Sequence, residues 1–223
     1  MWAGLKLYDR LAKGSQMPKS EKISTHEAKL RVPWLKYDDI KSTFLYYDAV
    51  MDDKEMVIRI ANKAREEDAE IYSEDKVREY KQHSDYVEVI TTKRRLKCRA
   101  LVNLTGAWNK EMTTPSKGVH LITNKLKSDT ATILINPKDN RVFFTIPYNN
   151  QTIIGTTDDI YEGDPDKVKV EPADREYIIQ AINTFTIEPI TLNDIVDEYV
   201  GLRPLAKSDK EADISKTISK AIT

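Results

Sequence analysis

Val142-Phe-Phe-Thr-Ile-Pro-Tyr-Asn-Asn-Gln-Thr-Ile-Ile154 joins two β-favouring runs through Asn149-Asn150, a pair of turn-forming residues. Strands joined by so short a turn pair antiparallel. Asp139-Asn140 marks a second turn, and Val119-His-Leu-Ile-Thr123 and Ala131-Thr-Ile-Leu-Ile135 add two more β-favouring runs. Three or four strands of one antiparallel sheet are therefore expected in this half of the chain. Downstream, Glu171-Pro172 opens a helix with proline in its first position, and Tyr177, Ile178, Ala181, Ile182 and Phe185 supply its apolar face. A final strand, Ile195–Val200, is expected to lead into a Gly201-Leu-Arg-Pro204 turn, and the charged, unpatterned residues 207–223 into an exposed or frayed tail.

Upstream the pattern is mixed. Trp2, Leu5, Tyr8, Leu11 and Ala12 share one helical face that ends near Gly14. Ser24 with Glu27, and Asp52 with Glu55, have the spacing of an N-cap and its third helical residue. The first pair predicts a short helix stopped by Pro33; the second predicts an amphipathic helix over 53–68 with Met56, Val57, Ile60, Ala61 and Ala64 on its apolar face. Between them Phe44-Leu-Tyr-Tyr47 favours a strand. Glu70–Ser73, Lys76–Tyr80, Tyr86–Thr91 and Arg95–Arg99 read as an antiparallel meander with one wet face. Ala100-Leu-Val-Asn-Leu104 reads as a buried strand delivering Thr105-Gly106 to a turn, with a helix starting over 107–112. Mixed α and β structure in two parts follows: an α/β-like part over 1–112 and a sheet-plus-helix part over 113–206.

Composition narrows the function. A chain of 223 residues buries roughly 65–75% of its unfolded surface, enough for a real core. Thirty-five basic and 36 acidic residues give a net charge of −1, which argues against nucleic-acid binding by bulk positive charge. Lys93-Arg-Arg95, Lys97 and Arg99 alternate with Leu96 and Cys98 as the wet side of a hairpin does. No run approaches the ~20 apolar residues of a membrane span, so any membrane association is expected to be peripheral. Cys98, the one cysteine, excludes an intrachain disulfide and is read as a structural thiol. Asp158, Asp159, Asp164 and Asp166 match no calcium-loop spacing; they are read as a solvated acidic loop, with no metal site. Seven glycines, about half the number an average of ~7% would supply, leave little material for glycine-rich nucleotide cradles.

Four places could carry chemistry. Thr105-Gly106 sits where open α/β sheets present backbone N–H groups to nucleotides, or is an ordinary tight turn with Trp108 packing beside it. His120 is a candidate base or a satisfied structural histidine, and His26 and His83 are given no role. Ile153-Ile-Gly-Thr-Thr-Asp158 ends a strand with Gly155, the hydroxyls of Thr156 and Thr157 and the Asp158 carboxylate, groups able to hydrogen-bond a polar ligand, or is merely a strand end finished by turn residues. Arg203 stays charged and presents a planar donor fork, suiting it to anchor or stabilise an anion unless it is a surface arginine in a turn.

In order along the chain, Leu5-Lys-Leu-Tyr-Asp9, Tyr46-Tyr-Asp-Ala-Val-Met-Asp-Asp53, Leu101-Val-Asn-Leu-Thr-Gly-Ala-Trp108, Lys117-Gly-Val-His120, Thr145-Ile-Pro-Tyr148, Ile153-Ile-Gly-Thr-Thr-Asp158, Gly163-Asp-Pro165 and Gly201-Leu-Arg-Pro-Leu205 resemble the FAD-dependent glycerol-3-phosphate dehydrogenases, members of the flavin oxidoreductase group that includes D-amino-acid oxidase. The resemblance implies part of a Rossmann-like FAD-binding domain over 1–112 and an antiparallel-sheet substrate domain with packed helices over 113–206. It also implies oxidation of sn-glycerol 3-phosphate to dihydroxyacetone phosphate, with electrons passing through FAD to a quinone, or to oxygen as in the oxidase relatives. Members are typically homodimers lying peripherally on the bacterial cytoplasmic membrane or the mitochondrial inner membrane.

By the same resemblance His120 is the base, Arg203 stabilises the alkoxide, and Thr105, Gly106, Gly155 and Thr156 lie on the cofactor side. The family's Gly-x-Gly-x-x-Gly turn, its early phosphate-binding arginine segment and its later Gly-Gly-Lys segment have no counterpart in these 223 residues. Asp52-Asp-Lys-Glu55 and Thr105-Gly-Ala-Trp108 depart mildly from the family's usual Asp-Asp-Ala-Arg and Thr-Gly-Pro-Trp. The expectation is a central portion of such an enzyme, binding FAD weakly or not at all by itself. The alternatives are a non-catalytic binding module of the same fold, or a flavin oxidoreductase acting on an amino or hydroxy acid.

Overall fold

The hairpin at Asn149-Asn150 is present in the computed structural model, which describes residues 2–207. Both asparagines adopt left-handed φ values, 46° and 61°, the conformation that two-residue hairpin turns need. Along the chain the elements are α1 (Trp2–Leu11), β1 (Glu21–Ile23), α2 (Thr25–Arg31), β2 (Thr43–Leu45) and α3 (Asp53–Glu66). Next come β3 (Val77–Gln82), β4 (Val87–Thr91), β5 (Arg95–Cys98) and β6 (Thr113–Thr123). They are followed by β7 (Thr132–Ile135), β8 (Val142–Tyr148), β9 (Gln151–Gly155), β10 (Asp159–Ile160), α4 (Pro172–Asn183) and β11 (Ile195–Ala206).

Two compact units result, and they divide the chain differently from the boundary expected at residue 112. The first takes residues through Lys13, 20–46 and the described chain from Thr105; the second takes 14–19 and 47–104. The reason is packing: Ala28, Val32, Leu35 and Tyr37 share one core with Val119, Leu121, Phe143, Ile154, Ile178 and Ile182. Backbone bonds stitch the same segments, Lys36 N–H donating to Phe185 C=O at 2.7 Å and Ile187 N–H to Trp34 C=O at 2.9 Å.

Within the first unit β6 is the central strand. β11 pairs antiparallel along its whole length; on the other edge His120–Thr123 pair with β9 and Ser116–Lys117 with β10. β8 and β7 extend the sheet beyond β9, all antiparallel as expected. α4 covers one face of this sheet, Ile178 and Ile182 meeting Val119 and Leu121, which are fully buried. Its entry is fixed twice over. Pro172 occupies the first turn, and the Asp174 carboxylate accepts the Glu171 N–H at 2.8 Å and Lys117 Nζ at 2.8 Å. Burial alone would lower the Lys117 pKa, but the hydrogen bond and charge of Asp174 outweigh it and raise the pKa, so the buried lysine stays protonated. At the other end of the unit, α1 presents Asp9 to the Ser20 N–H and hydroxyl, and Trp2 stacks on Phe44 at 5.5 Å.

In the second unit α3 begins where its sequence pattern places it, with Asp52 accepting the Glu55 N–H at 2.9 Å. Its expected apolar face buries none of its residues; Met56, Val57 and Ile60 are exposed. Three of the four expected meander segments pair as β3-β4-β5. The fourth, Glu70–Ser73, is not a strand: Arg94 lies over the Tyr72 ring at 3.6 Å while ion-pairing with Asp75 at 2.7 Å, so Tyr72 seals the neighbouring turn rather than extending the sheet.

The strongest departure is Ala100–Leu104, expected as a buried strand. It belongs to no sheet among the described residues, and Val102 and Leu104 are 73% and 86% exposed. An apolar run is buried only where other elements supply ladder and packing partners, and the three-stranded sheet supplies none. The helix expected over 107–112 is a single 3-10 turn, Gly106–Trp108. The expected tail beyond Lys207 lies outside the described residues.

Packing then sets the cost of truncation. Ile182→Ala, at a fully buried site, should lower the unfolding free energy in urea by about 2–5 kcal/mol, whereas Val57→Ala on exposed α3 should change it by about 0.5 kcal/mol or less.

Candidate active site

Side chains alternate along a strand, so β6 builds two different surfaces. Lys117, Val119 and Leu121 point toward α4; Ser116, Gly118 and His120 line the opposite face. Register brings Tyr199, Gly201 and Arg203 of β11 opposite His120, Gly118 and Ser116, and Gly155 of β9 opposite His120 from the other side. His120, Arg203 and Gly155 thus share one sheet face.

The His120 imidazole stacks on the Tyr199 ring, with centroids 4.7 Å apart and planes 13° from parallel. On its other side it leans over the backbone of Gly155, where a Cβ would stand 2.3 Å from His120 Cδ2. Burial, and after it the positive charge of Arg203, lower the His120 pKa to about 4, so the ring is neutral across the physiological range. Nδ1 is enclosed without a hydrogen-bond partner, which leaves Nε2 as the nitrogen open to a ligand.

Arg203 is held from several directions. Its guanidinium lies over Gly118, where a Cβ would come within 2.6 Å of both terminal nitrogens. Nη2 donates to Thr156 Oγ1 at 3.0 Å and Nη1 to the Thr157 carbonyl at 3.4 Å, and Asp158 Oδ1 lies 3.7 Å from Nη1. The arginine side chain is nevertheless 39% exposed, so the cation remains reachable. The turn expected at Gly201–Pro204 is instead part of β11, which runs on to Ala206 with Pro204 opposite Pro115. β11 pairs only with β6 among the described residues, and an edge strand tolerates a residue without an N–H.

Of the acidic loop, Asp159, Asp164 and Asp166 are exposed as expected, and Asp158 alone is drawn in. Asp158 accepts a hydrogen bond from Ser116 Oγ, and Asp159 ion-pairs with Arg141 at 3.2 Å. Asp166 accepts the Trp108 indole N–H at 3.0 Å, and no group of side chains able to hold a metal ion occurs among the described residues. Trp108, expected as a packing residue, is more than half exposed.

Thr105 and Gly106 stand apart from the His120 cluster. Gly106 takes a left-handed φ of 58°, opens the 3-10 turn, and lies against the Pro204 ring, 3.8 Å from where its Cβ would be. That places the turn beside the strand end that carries Arg203. Ser116 and Tyr199 were not among the expected site residues. The signal that finds them is the shared alternation of Ser116-x-Gly-x-His120 and Tyr199-x-Gly-x-Arg203, which becomes visible only once the strand register is known.

A neutral imidazole beside a fixed guanidinium suits proton removal from a hydroxyl whose oxygen becomes anionic. It fits the reacting end of an FAD-linked oxidation. A pyrophosphate needs bare backbone N–H groups, and here the space over Gly118 and Gly155 is filled by Arg203 and His120 themselves. The face over Gly118 and Gly155 therefore fits the reacting end of FAD and not its phosphates.

The sequence pattern of a family described as FAD dependent oxidoreductase matches residues 2–220. The chain is 30% identical to a glycerol-3-phosphate dehydrogenase of Pseudomonas tolaasii over 99% of its own length and 46% of that protein's. It is also 30% identical to an alpha-glycerophosphate oxidase of Streptococcus pyogenes, over 93% of this chain and 38% of that one. It spans less than half the length of these relatives. Its fold resembles that of the Bacillus halodurans glycerol-3-phosphate dehydrogenase complexed with FAD, with a TM-score of 0.73 at 22% identity over 90% of this chain and 48% of that one.

Two outcomes follow from the geometry. Gly155→Ala should drive the imidazole off its seat, seen as loss of the ring-current shifts of His120 and Tyr199 in NMR spectra. The unfolded chain protonates His120 near 6.5 and the folded chain only near 4, so the unfolded state binds more protons between those values. The histidine's contribution to stability is present above about 6.5 and lost as pH falls toward 4. Urea titrations of wild type and His120→Gln should show a shallower loss in the variant across that window.

Proposed function

The chain belongs to the FAD-dependent oxidoreductase family, and from that premise we propose that it forms the substrate-side part of an enzyme oxidising sn-glycerol 3-phosphate to dihydroxyacetone phosphate. The observation that carries the reading is the neutral His120 ring fixed beside Arg203 on an accessible sheet face. Relatives named glycerol-3-phosphate dehydrogenase and alpha-glycerophosphate oxidase support the choice of substrate. In this reading residues 1–112 contribute to the FAD-binding domain and 113–206 form the substrate domain, with Ala28, Val32, Leu35 and Tyr37 of the former packed into the core of the latter.

Oxidising a secondary alcohol removes a proton from the hydroxyl and a hydride, with its two electrons, from the carbon. FAD, when bound, supplies the two-electron acceptor. His120 takes the C2 hydroxyl proton at Nε2, with its own proton held on the enclosed Nδ1. Arg203 keeps its charge throughout and stabilises the oxygen as it becomes anionic. The two effects oppose each other: the guanidinium that stabilises the alkoxide also weakens the base. Thr105, Gly106, Gly155 and Thr156 are the proposed cofactor-side residues. Gly155 gives His120 its room and Thr156 fixes Arg203, so these two also act through the catalytic pair.

Quinone is the proposed acceptor, with the enzyme a homodimer lying peripherally on the cytoplasmic membrane, or on the mitochondrial inner membrane in a eukaryote. No described helix is long and apolar enough to cross a membrane. Dye-coupled turnover of sn-glycerol 3-phosphate by the FAD-loaded protein that contains this chain should fall by about 10²–10⁴-fold in kcat/KM for His120→Asn and for Arg203→Lys. Flavin reduction by glycine or lactate, and not by glycerol 3-phosphate, would overturn the substrate. Peroxide formation in place of quinone reduction would overturn the acceptor.

A further inference from the structure

Gly155 ends β9 and Asp159 begins β10, and the intervening Thr156-Thr157-Asp158 is shaped by one buried hydroxyl. Thr157 Oγ1 accepts the Val119 N–H at 3.0 Å and donates to the Lys117 carbonyl at 3.3 Å, standing in for ladder bonds that the two short strands do not make. With Thr157 turned into the sheet, its neighbours reach the other face: Thr156 meets Arg203 Nη2, and Asp158 meets Ser116 and Arg203 Nη1. Ser116 is fully buried on β6, so the Asp158 carboxylate is itself tied to the central strand.

We infer that Asp158 and Thr156 are positioning residues for Arg203, holding its guanidinium flat over Gly118 and beside His120. An arginine side chain is long and rotamer-rich, and exposed cations do not keep one geometry unless several partners agree. Here two acceptors and a carboxylate meet the terminal nitrogens of the fork, and a glycine without a side chain lies beneath it. The side chain is still 39% exposed, so a ligand oxygen can reach it. Asp158 touches no reacting atom; its effect passes through Arg203, and the inference rests on reading Arg203 as the alkoxide-stabilising cation.

The test uses the FAD-loaded protein that contains this chain, with Asp158→Asn and, independently, Thr156→Val. The first readout is the His120 imidazole titration followed by NMR. Removing a nearby carboxylate acts directly to lower a histidine pKa, so a rise toward the ordinary value of about 6.5 reports that the guanidinium has left its seat. A rise in both variants is expected. The second readout is kcat with sn-glycerol 3-phosphate. Asp158→Asn should lower it about 10–100-fold in the parent and less than about 2-fold in an Arg203→Ala background, because a residue acting through the Arg203 cation has nothing left to position there. An unchanged or lowered His120 pKa in either variant, or equal losses in both backgrounds, overturns the inference. Full turnover by Arg203→Lys alone would instead overturn the functional reading, and the NMR titration would still decide whether Asp158 and Thr156 seat the guanidinium.

Discussion

The alternation of side chains along β6 is the constraint on which the first unit depends. Lys117, Val119 and Leu121 supply the core and its ion pair to α4, while Ser116, Gly118 and His120 supply the candidate site. A strand shifted by one residue would exchange the two sets, placing His120 in the core and Leu121 in solvent. The buried Lys117–Asp174 pair makes that exchange costly. Removing one member of such a pair leaves an uncompensated charge in the interior, at about 3–5 kcal/mol. Packing on one face therefore fixes where the chemistry sits on the other.

On the site face, charge and burial pull in one direction for His120 and in opposite directions for its role. Both lower its pKa, which keeps the ring neutral and able to accept a proton, yet both make it a weaker acceptor. The balance is workable only if the same cation stabilises the product of deprotonation. In the proposed reaction that cation is Arg203 on the adjacent strand, four residues along β11 from the tyrosine that stacks on the imidazole. Base and electrostatic stabiliser are thus parts of one arrangement, and neither can be adjusted alone.

What the sequence made legible was whatever is decided within a few residues. The Asn149-Asn150 turn, the Asp52 and Ser24 caps, the proline-initiated α4 and its apolar face all follow from local backbone and capping chemistry, and all are present. What depends on distant partners was not legible. Ala100–Leu104 has the composition of a buried strand but meets no sheet. Gly201-Leu-Arg-Pro204 looks like a turn because glycine and proline usually punctuate elements, and only pairing with β6 keeps it extended. Asp158 looks like one of several solvated acids until the register brings Ser116 and Arg203 to it. His120 and Arg203 stand out singly by their chemistry, but only family resemblance joins them in one site, since no spacing along the chain announces residues 83 positions apart as neighbours.

Gly118 and Gly155 are each half of a two-residue object whose other half is a side chain from an adjacent strand. Neither glycine can gain even a methyl group while Arg203 or His120 keeps its place, and neither of those side chains can stay seated if its glycine grows. Along a mutational path the large side chain must yield its place before its glycine can grow, and descendants that retain the arginine and histidine in their seats keep the glycines with them.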